Sequence, residues 1–190
     1  MKLLTFTACA VLLTLSGQVL ADDNISTIEQ VGISQTASVE QTGDANVNTS
    51  TVVQTGGHLS TATVKQTGMG NTNYSYATQF GTAHSLEITQ DGIGNDNHSI
   101  LSQTGFSNSA IIDQDGTDNV NRSSVRSEVG GGNDVSVTQY GSGNDNDSLM
   151  TMDARASSVS VDQSGTDNSN HSTVHVGPGA VSSSVSVVQN

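Results

Sequence analysis

Leu86-Glu87-Ile88-Thr89-Gln90-Asp91-Gly92-Ile93-Gly94-Asn95-Asp96-Asn97-His98-Ser99-Ile100-Leu101-Ser102-Gln103 is the stretch that decides the fold. Its first five residues alternate apolar and polar, the period of a strand with one buried face. Asp91-Gly92-Ile93-Gly94 then interrupts the alternation as a turn does. The alternation resumes on the other parity, so Asn95, Asn97, Ser99, Leu101 and Gln103 point one way. The stretch therefore reads strand, turn, strand, with a second inward face that is mostly polar.

The same pattern repeats along the chain. Gln41, Gln66, Gln90, Gln114, Gln139 and Gln163 recur at spacings of 24 or 25 residues. Two residues after each stands a glycine: Gly43, Gly68, Gly92, Gly116, Gly141 and Gly165. Five residues after each stands an asparagine: Asn46, Asn71, Asn95, Asn119, Asn144 and Asn168. Asparagine recurs two residues later, serine two after that, and then an apolar residue. A second inward position follows 13 residues after each anchor, with Gln54, Gln79 and Gln103 and then Ser127, Met152 and Val176. That distance is fixed, and all length variation falls between the second position and the next anchor. One turn is thus expected to be rigid and the other elastic, with Gly56-Gly57, Gly130-Gly131-Gly132 and Pro178 in the elastic turn.

A unit of this length buries nothing alone, but units stacked in parallel at about 4.8 Å form two facing sheets. The expected fold is an all-β solenoid. In it each column becomes a ladder, and a buried amide meets its own copies above and below instead of remaining unsatisfied at about 1–3 kcal/mol. The amides cast in this role are Gln30, Gln41, Gln54, Gln66, Gln79, Gln90, Gln103, Gln114, Gln139, Gln163 and Gln189, with the six asparagines five residues after the anchors.

Without such stacking the composition would leave the chain unfolded. Of its 190 residues 33% are hydrophobic and 3% aromatic, with a formal charge of -13. Low hydrophobicity with high net charge borders on intrinsic disorder. The acidity argues against nucleic acid and anionic lipid as partners. Lys2, the apolar run from Leu3 to Leu15 and Val19-Leu20-Ala21 have the layout of a secretory signal. Residues 1–21 are expected to be removed, residues 22–40 to form a partial repeat, and residues 41–190 to hold six repeats. Removal takes Lys2 and Cys9 with it, leaving an exported, cysteine-free chain that no disulfide braces.

The stretch Gln103-Thr-Gly105-Phe-Ser-Asn108-Ser-Ala110-Ile-Ile-Asp-Gln114 resembles the curlin repeat of bacterial curli fibre subunits, Gln-x-Gly-x-x-Asn-x-Ala-x-x-x-Gln, at every fixed position. Gln79 to Gln90 is similar with His84 and Leu86 for Asn and Ala, Gln30 to Gln41 with Gln35 for Asn, and Glu128 to Gln139 with Glu for the first Gln. The resemblance implies a curlin-type β-solenoid, export through the curli secretion channel with its accessory factors, and extracellular polymerisation into amyloid fibres for biofilm matrix and adhesion. It also implies a companion curli subunit, as nucleator or as major subunit. The chain departs from the family in its Asn-x-Asn-x-Ser half-unit and in the second glutamine column, which lapses after Gln103. It also departs in the start, Asp22-Asp23-Asn24-Ile25, which lacks a Gly-rich lead segment. The ending Ser184-Val185-Ser186-Val187-Val188-Gln189, a regular strand without a basic tail, resembles the major subunit more than the nucleator.

Other chemistries find little support in the residues. Gly143-Asn144-Asp145-Asn146-Asp147 resembles an acidic calcium loop, but aspartate is fixed at no column. The five histidines are scattered: His98 and His171 on an outward position, His58 and His84 in or beside the elastic turn, His175 beside the second inward column. None meets a carboxylate at a repeated, convergent position, so no enzyme activity, metal, cofactor or small-molecule substrate is expected. A non-polymerising secreted solenoid adhesin, or an ice-binding solenoid hinted at by Thr61-x-Thr63, is the reading from outside the amyloid class. Acidic residues are expected in turns (Asp44, Asp118, Asp145, Asp167) or on outward strand faces (Glu87, Asp113, Asp162), where they add solubility or slow aggregation before secretion.

Overall fold

The computed structural model describes residues 11–14 and 23–190. The remaining residues of the expected secretion signal lie outside the described ones. The elements are β1 (Val11–Thr14), β2 (Asp23–Ile33), β3 (Gln35–Gln41), β4 (Val47–His58), β5 (Thr61–Gln66), β6 (Thr72–Thr82), β7 (Ser85–Gln90), β8 (Asp96–Phe106), β9 (Ser109–Gln114), β10 (Val120–Gly131), β11 (Asp134–Gln139), β12 (Asp145–Met152), β13 (Ser158–Gln163), β14 (Ser169–Val176) and β15 (Ser184–Gln189). Odd-numbered strands form an eight-stranded sheet in the order β1-β3-β5-β7-β9-β11-β13-β15. Even-numbered strands form a seven-stranded sheet ending in β2 and β14. All the strand pairs are parallel. The molecule is a β-solenoid of two facing parallel sheets, as the repeat predicts.

Register follows the sequence repeat residue for residue. Gln66 pairs with Gln41 and Gln90, Gln139 with Gln114 and Gln163, and Gln163 with Gln189. A shift of one residue would turn every inward side chain out, so the alternation that buries one face also locks the register. Between the sheets lie Ala37 and Val39, Leu86 and Ile88, or Val159 and Val161 from the odd strands, facing Ile28, Val52, Ala77, Leu101, Val125, Met150 and Val174 from the even ones. Among the described residues, the buried hydrophobic core runs from Ile28 to Val176.

Two expectations about the elastic turn are corrected. Gly56, Gly57, Gly130 and Gly131 sit within the ends of β4 and β10, not in the turn. Register passes from Val31–Thr55 to Ile33–His58, and from Gln103–Ser127 to Gly105–Gly130, so each 25-residue unit takes up its extra residue as a β-bulge. Two successive glycines at φ 71° and 61° permit the first bulge without strain. Asp145, expected in a turn, opens β12 with its side chain exposed. Pro178 does occupy a turn, between β14 and β15.

Candidate functional site: the stacked amide columns

The anchor glutamines form an unbroken hydrogen-bonded column through the molecule. Nε2 of Gln41 donates to Oε1 of Gln66 at 2.7 Å, and the series continues through Gln90, Gln114, Gln139 and Gln163 to Gln189 at 2.7–2.9 Å. The second Nε2 proton crosses to the other sheet, as from Gln90 to the Tyr74 carbonyl at 3.1 Å and from Gln139 to the Arg122 carbonyl at 2.9 Å. Each amide therefore ties neighbouring rungs together and the two sheets to each other. Six of these side chains, from Gln41 to Gln163, are buried.

The asparagines five residues after the anchors close the tight turn. Asn95 Nδ2 donates to the Asp91 carbonyl at 2.7 Å and to the Gly116 carbonyl of the next rung at 3.0 Å, while its Oδ1 accepts from the Asn119 backbone N–H at 2.9 Å. Asn46, Asn71, Asn119 and Asn144 repeat the set, and Asn168, on the last such turn, keeps its bond to the Ser164 carbonyl at 3.4 Å. The turn glycines make this geometry possible. Gly43, Gly68, Gly92, Gly116, Gly141 and Gly165 have φ between 118° and 137°, where side-chain-bearing residues are strained. A Cβ at Gly92 would also lie 2.1 Å from the Gly116 carbonyl oxygen.

The second glutamine column behaves differently. Gln30 donates to Gln54, Gln54 to Gln79 at 2.7 Å, and Gln79 to Gln103 at 3.1 Å. There it stops, because Ser127 stands opposite and Gln103 Nε2 is left buried without a partner. At the other end of the same column Gln30 Oε1 is also buried and unpartnered.

Two further features escaped the sequence. A second asparagine ladder, seven residues after the anchors, runs Asn24, Asn48, Asn73, Asn97, Asn121, Asn146, Asn170 at 2.9–3.0 Å. Its column is evident in the sequence, but the common direction of its bonds exists only once the rungs are stacked. His84, expected in or beside the elastic turn, is 1% exposed and takes the place of an asparagine. Its Nε2 lies 3.2 Å from the Phe80 carbonyl four residues back, and Nδ1 accepts from the Asn108 backbone N–H at 3.4 Å. Those two bonds require the neutral ring with the proton on Nε2. Burial holds the His84 pKa below the usual histidine value. The one available hint was its place at the Asn position of the repeat.

Outside, Tyr74 and His98 stack with ring centroids 4.7 Å apart, and desolvation lowers the His98 pKa. Arg122 meets Asp145 and His171 meets Asp147, each at 3.1 Å, on the exposed face of the even-stranded sheet. Asp113 is pushed above the ordinary carboxylate pKa by desolvation first and then by the charges of Asp115, Glu87 and Asp91. Among the described residues no group of three or more histidine, cysteine and acidic side chains is placed to hold a metal ion. Among the described residues no helix is long and apolar enough to cross a membrane.

The two ends complete the site. Neither β14 nor β15 is paired on its outer side, and Val185 and Val187 are only partly buried. At the opposite end β2 has no partner on its outer side among the described residues, while the outer edge of β3 is paired with β1. No protein-family model matches the chain, and no curated protein matches it.

Proposed function

We propose that the chain is a structural subunit that stacks end to end into an extracellular fibre of the curli kind. The observation that carries this reading is the match between its two end rungs. Continuing the register by one rung places β2 of one copy on β14 of another and β3 on β15. Asn24 then meets Asn170, Ser26 meets Ser172, Ile28 meets Val174, Ala37 meets Val185, Val39 meets Val187 and Gln41 meets Gln189. The bond directions agree as well. Gln189 Nε2 is on the donating side of the anchor column and Gln41 Oε1 on the accepting side. Open strand edges of this length are templates for further pairing unless capped.

Within this reading β1 obstructs assembly, since it occupies the edge of β3 on which β15 of the next copy stacks. Removal of residues 1–21 on export then frees the end only when the chain is outside the cytoplasm. The partners are further copies of the chain, a companion subunit, and the secretion channel with its accessory factors. The product is a matrix and adhesion fibre. The test is to dilute the chain from residue 22, which holds the whole described core, out of denaturant and follow thioflavin fluorescence and fibre diffraction with and without seeds. Seedable growth with a strand spacing near 4.8 Å is expected. A stable β-rich monomer that never grows would assign the chain to the non-polymerising adhesins, and growth that starts only from a companion's seeds would make the companion the nucleator.

A further inference from the structure

The end-to-end junction matches in six inward columns, and of the mismatched ones the column of Gln30 is the one whose incoming side chain has no proton at all to donate. Position 13 after the anchor presents Gln30 at the N-terminal end and Val176 at the C-terminal end. In this column each glutamine donates its Nε2 to the Oε1 of the following rung, so Gln30 Oε1 faces out of the N-terminal end. Gln30 is 3% exposed, yet that oxygen has no donor. Gln41 Oε1, in the other glutamine column, faces the same way. The N-terminal end thus offers two amide oxygens to whatever stacks on it. The C-terminal end of the same chain answers Gln41 with Gln189 but answers Gln30 with a valine, which carries no proton to donate.

We propose that the N-terminal face formed by β2 and β3 is built to receive a parallel β-solenoid rung carrying glutamine at both columns, and that this chain's own C-terminal rung is its lesser match. The preferred partner is a solenoid chain whose terminal rung presents two side-chain amide donors. This rests on the end-to-end stacking proposed above. Self-association proceeds on six matched columns and leaves the Gln30 oxygen without a donor at every junction. A glutamine-ended partner satisfies that oxygen and extends the ladder into Gln54, Gln79 and Gln103. Buried polar groups discriminate in this way because the wrong partner leaves them desolvated and unbonded.

A double-mutant cycle across the junction tests it. The chain from residue 22, Gln30→Leu, Val176→Gln and the double variant are each assembled on their own seeds, and the soluble concentration left at equilibrium is measured. Val176→Gln makes both faces amide, Gln30→Leu makes both apolar, and the other two combinations are mismatched. Each substitution also disturbs its own chain: Val176→Gln sets an amide beside Met152, and Gln30→Leu removes the donor to Gln54. Those effects stay within one subunit and cancel in the cycle. Matched junctions are expected to leave about tenfold less soluble chain after that cancellation, the value of one buried hydrogen bond. Wild-type fibres with no coupling between positions 30 and 176 would overturn the proposal and leave the fibre reading intact. Assembly of Val176→Gln where the wild type stays monomeric would support the proposal and retire self-polymerisation. If no variant assembles, both fail.

Discussion

On the tight-turn side of the solenoid, six units share one arc length and two uniform columns, the glutamines from Gln41 to Gln163 and the asparagines from Asn46 to Asn168. On the elastic side length varies, and the columns drift: Gln30, Gln54, Gln79, Gln103, Ser127, Met152, Val176 in one, and Gln35, Ser60, His84, Asn108, Asn133, Ser157 in the other. The unpaired buried amide atoms, on Gln30, Gln35 and Gln103, all belong to the elastic side. An amide ladder holds only when each member has a like neighbour at the strand spacing on both sides. Loss of the like neighbour breaks the ladder and a bulge alone does not, since Gln30 still donates to Gln54 beside the bulge at Gly56-Gly57. The bulge at Glu128-Val129 directly follows the break between Gln103 and Ser127. An amide column is therefore satisfied in proportion to its regularity, and beyond Ser127 apolar Met152 and Val176 take over the column.

Glycine substitutions should have the largest effects and should set the tight turn apart from the first glycine of the bulge. Gly92→Ala combines φ 118° with a 2.1 Å approach to the Gly116 carbonyl, and a loss above about 4 kcal/mol in guanidinium unfolding is expected. Gly56→Ala, at φ 71° with the Phe80 ring as nearest neighbour at 3.6 Å, should cost only about 1–2 kcal/mol. Comparable losses would mean that the bulge is as constrained as the tight turn. Next comes the ladder itself. Gln114→Leu strands Gln90 Nε2 on one side and Gln139 Oε1 on the other and should cost about 3 kcal/mol. Gln103→Leu moves an existing boundary back by one rung, deletes one orphaned atom and creates another, and should cost under about 1 kcal/mol.

Acid titration probes His84 on the elastic side together with His98 on the outer face, since both are held below the ordinary histidine value, and a substitution at position 84 isolates the first. Because the folded pKa of His84 lies below its ordinary 6.5, the unfolded chain takes up the proton more readily. Its contribution to stability is complete above that value and is lost as pH falls from there through the depressed folded pKa. The unfolding midpoint of the wild type should drop over that window, and His84→Asn, which keeps a donor and an acceptor in place, should make the drop smaller. The smallest effect concerns the outer face. The raised pKa of Asp113 means that the fold is favoured below its ordinary value of 3.8 and loses that advantage as pH rises through the raised one. Asp113→Asn should therefore stabilise modestly and shorten the assembly lag at neutral pH, with no gain in strong acid. An unchanged lag would assign the outward acids to solubility alone.

His84 shows how far the residues themselves could be read. Its place in the repeat was legible, because Gln79 to Gln90 keeps the spacing of its neighbours, but a histidine beside a glycine-containing turn gives no sign of burial. The same holds for Gly56-Gly57, whose glycines signal departure from a regular strand equally well as a turn or as a bulge. Pairing across the rung, present only once the units are stacked, decides which.

Sequence alone determined the solenoid, its register and the identity of its inward columns, because a period of two nested in a period of 24 or 25 leaves one arrangement that buries every repeated residue together. Only the tertiary structure decided which amides are paired and in which direction, how the extra residues are absorbed, and that Gln30 and Val176 close the two ends of one column. Those outcomes depend on the neighbour one rung away, about 24 residues distant in the chain and about 4.8 Å distant in space.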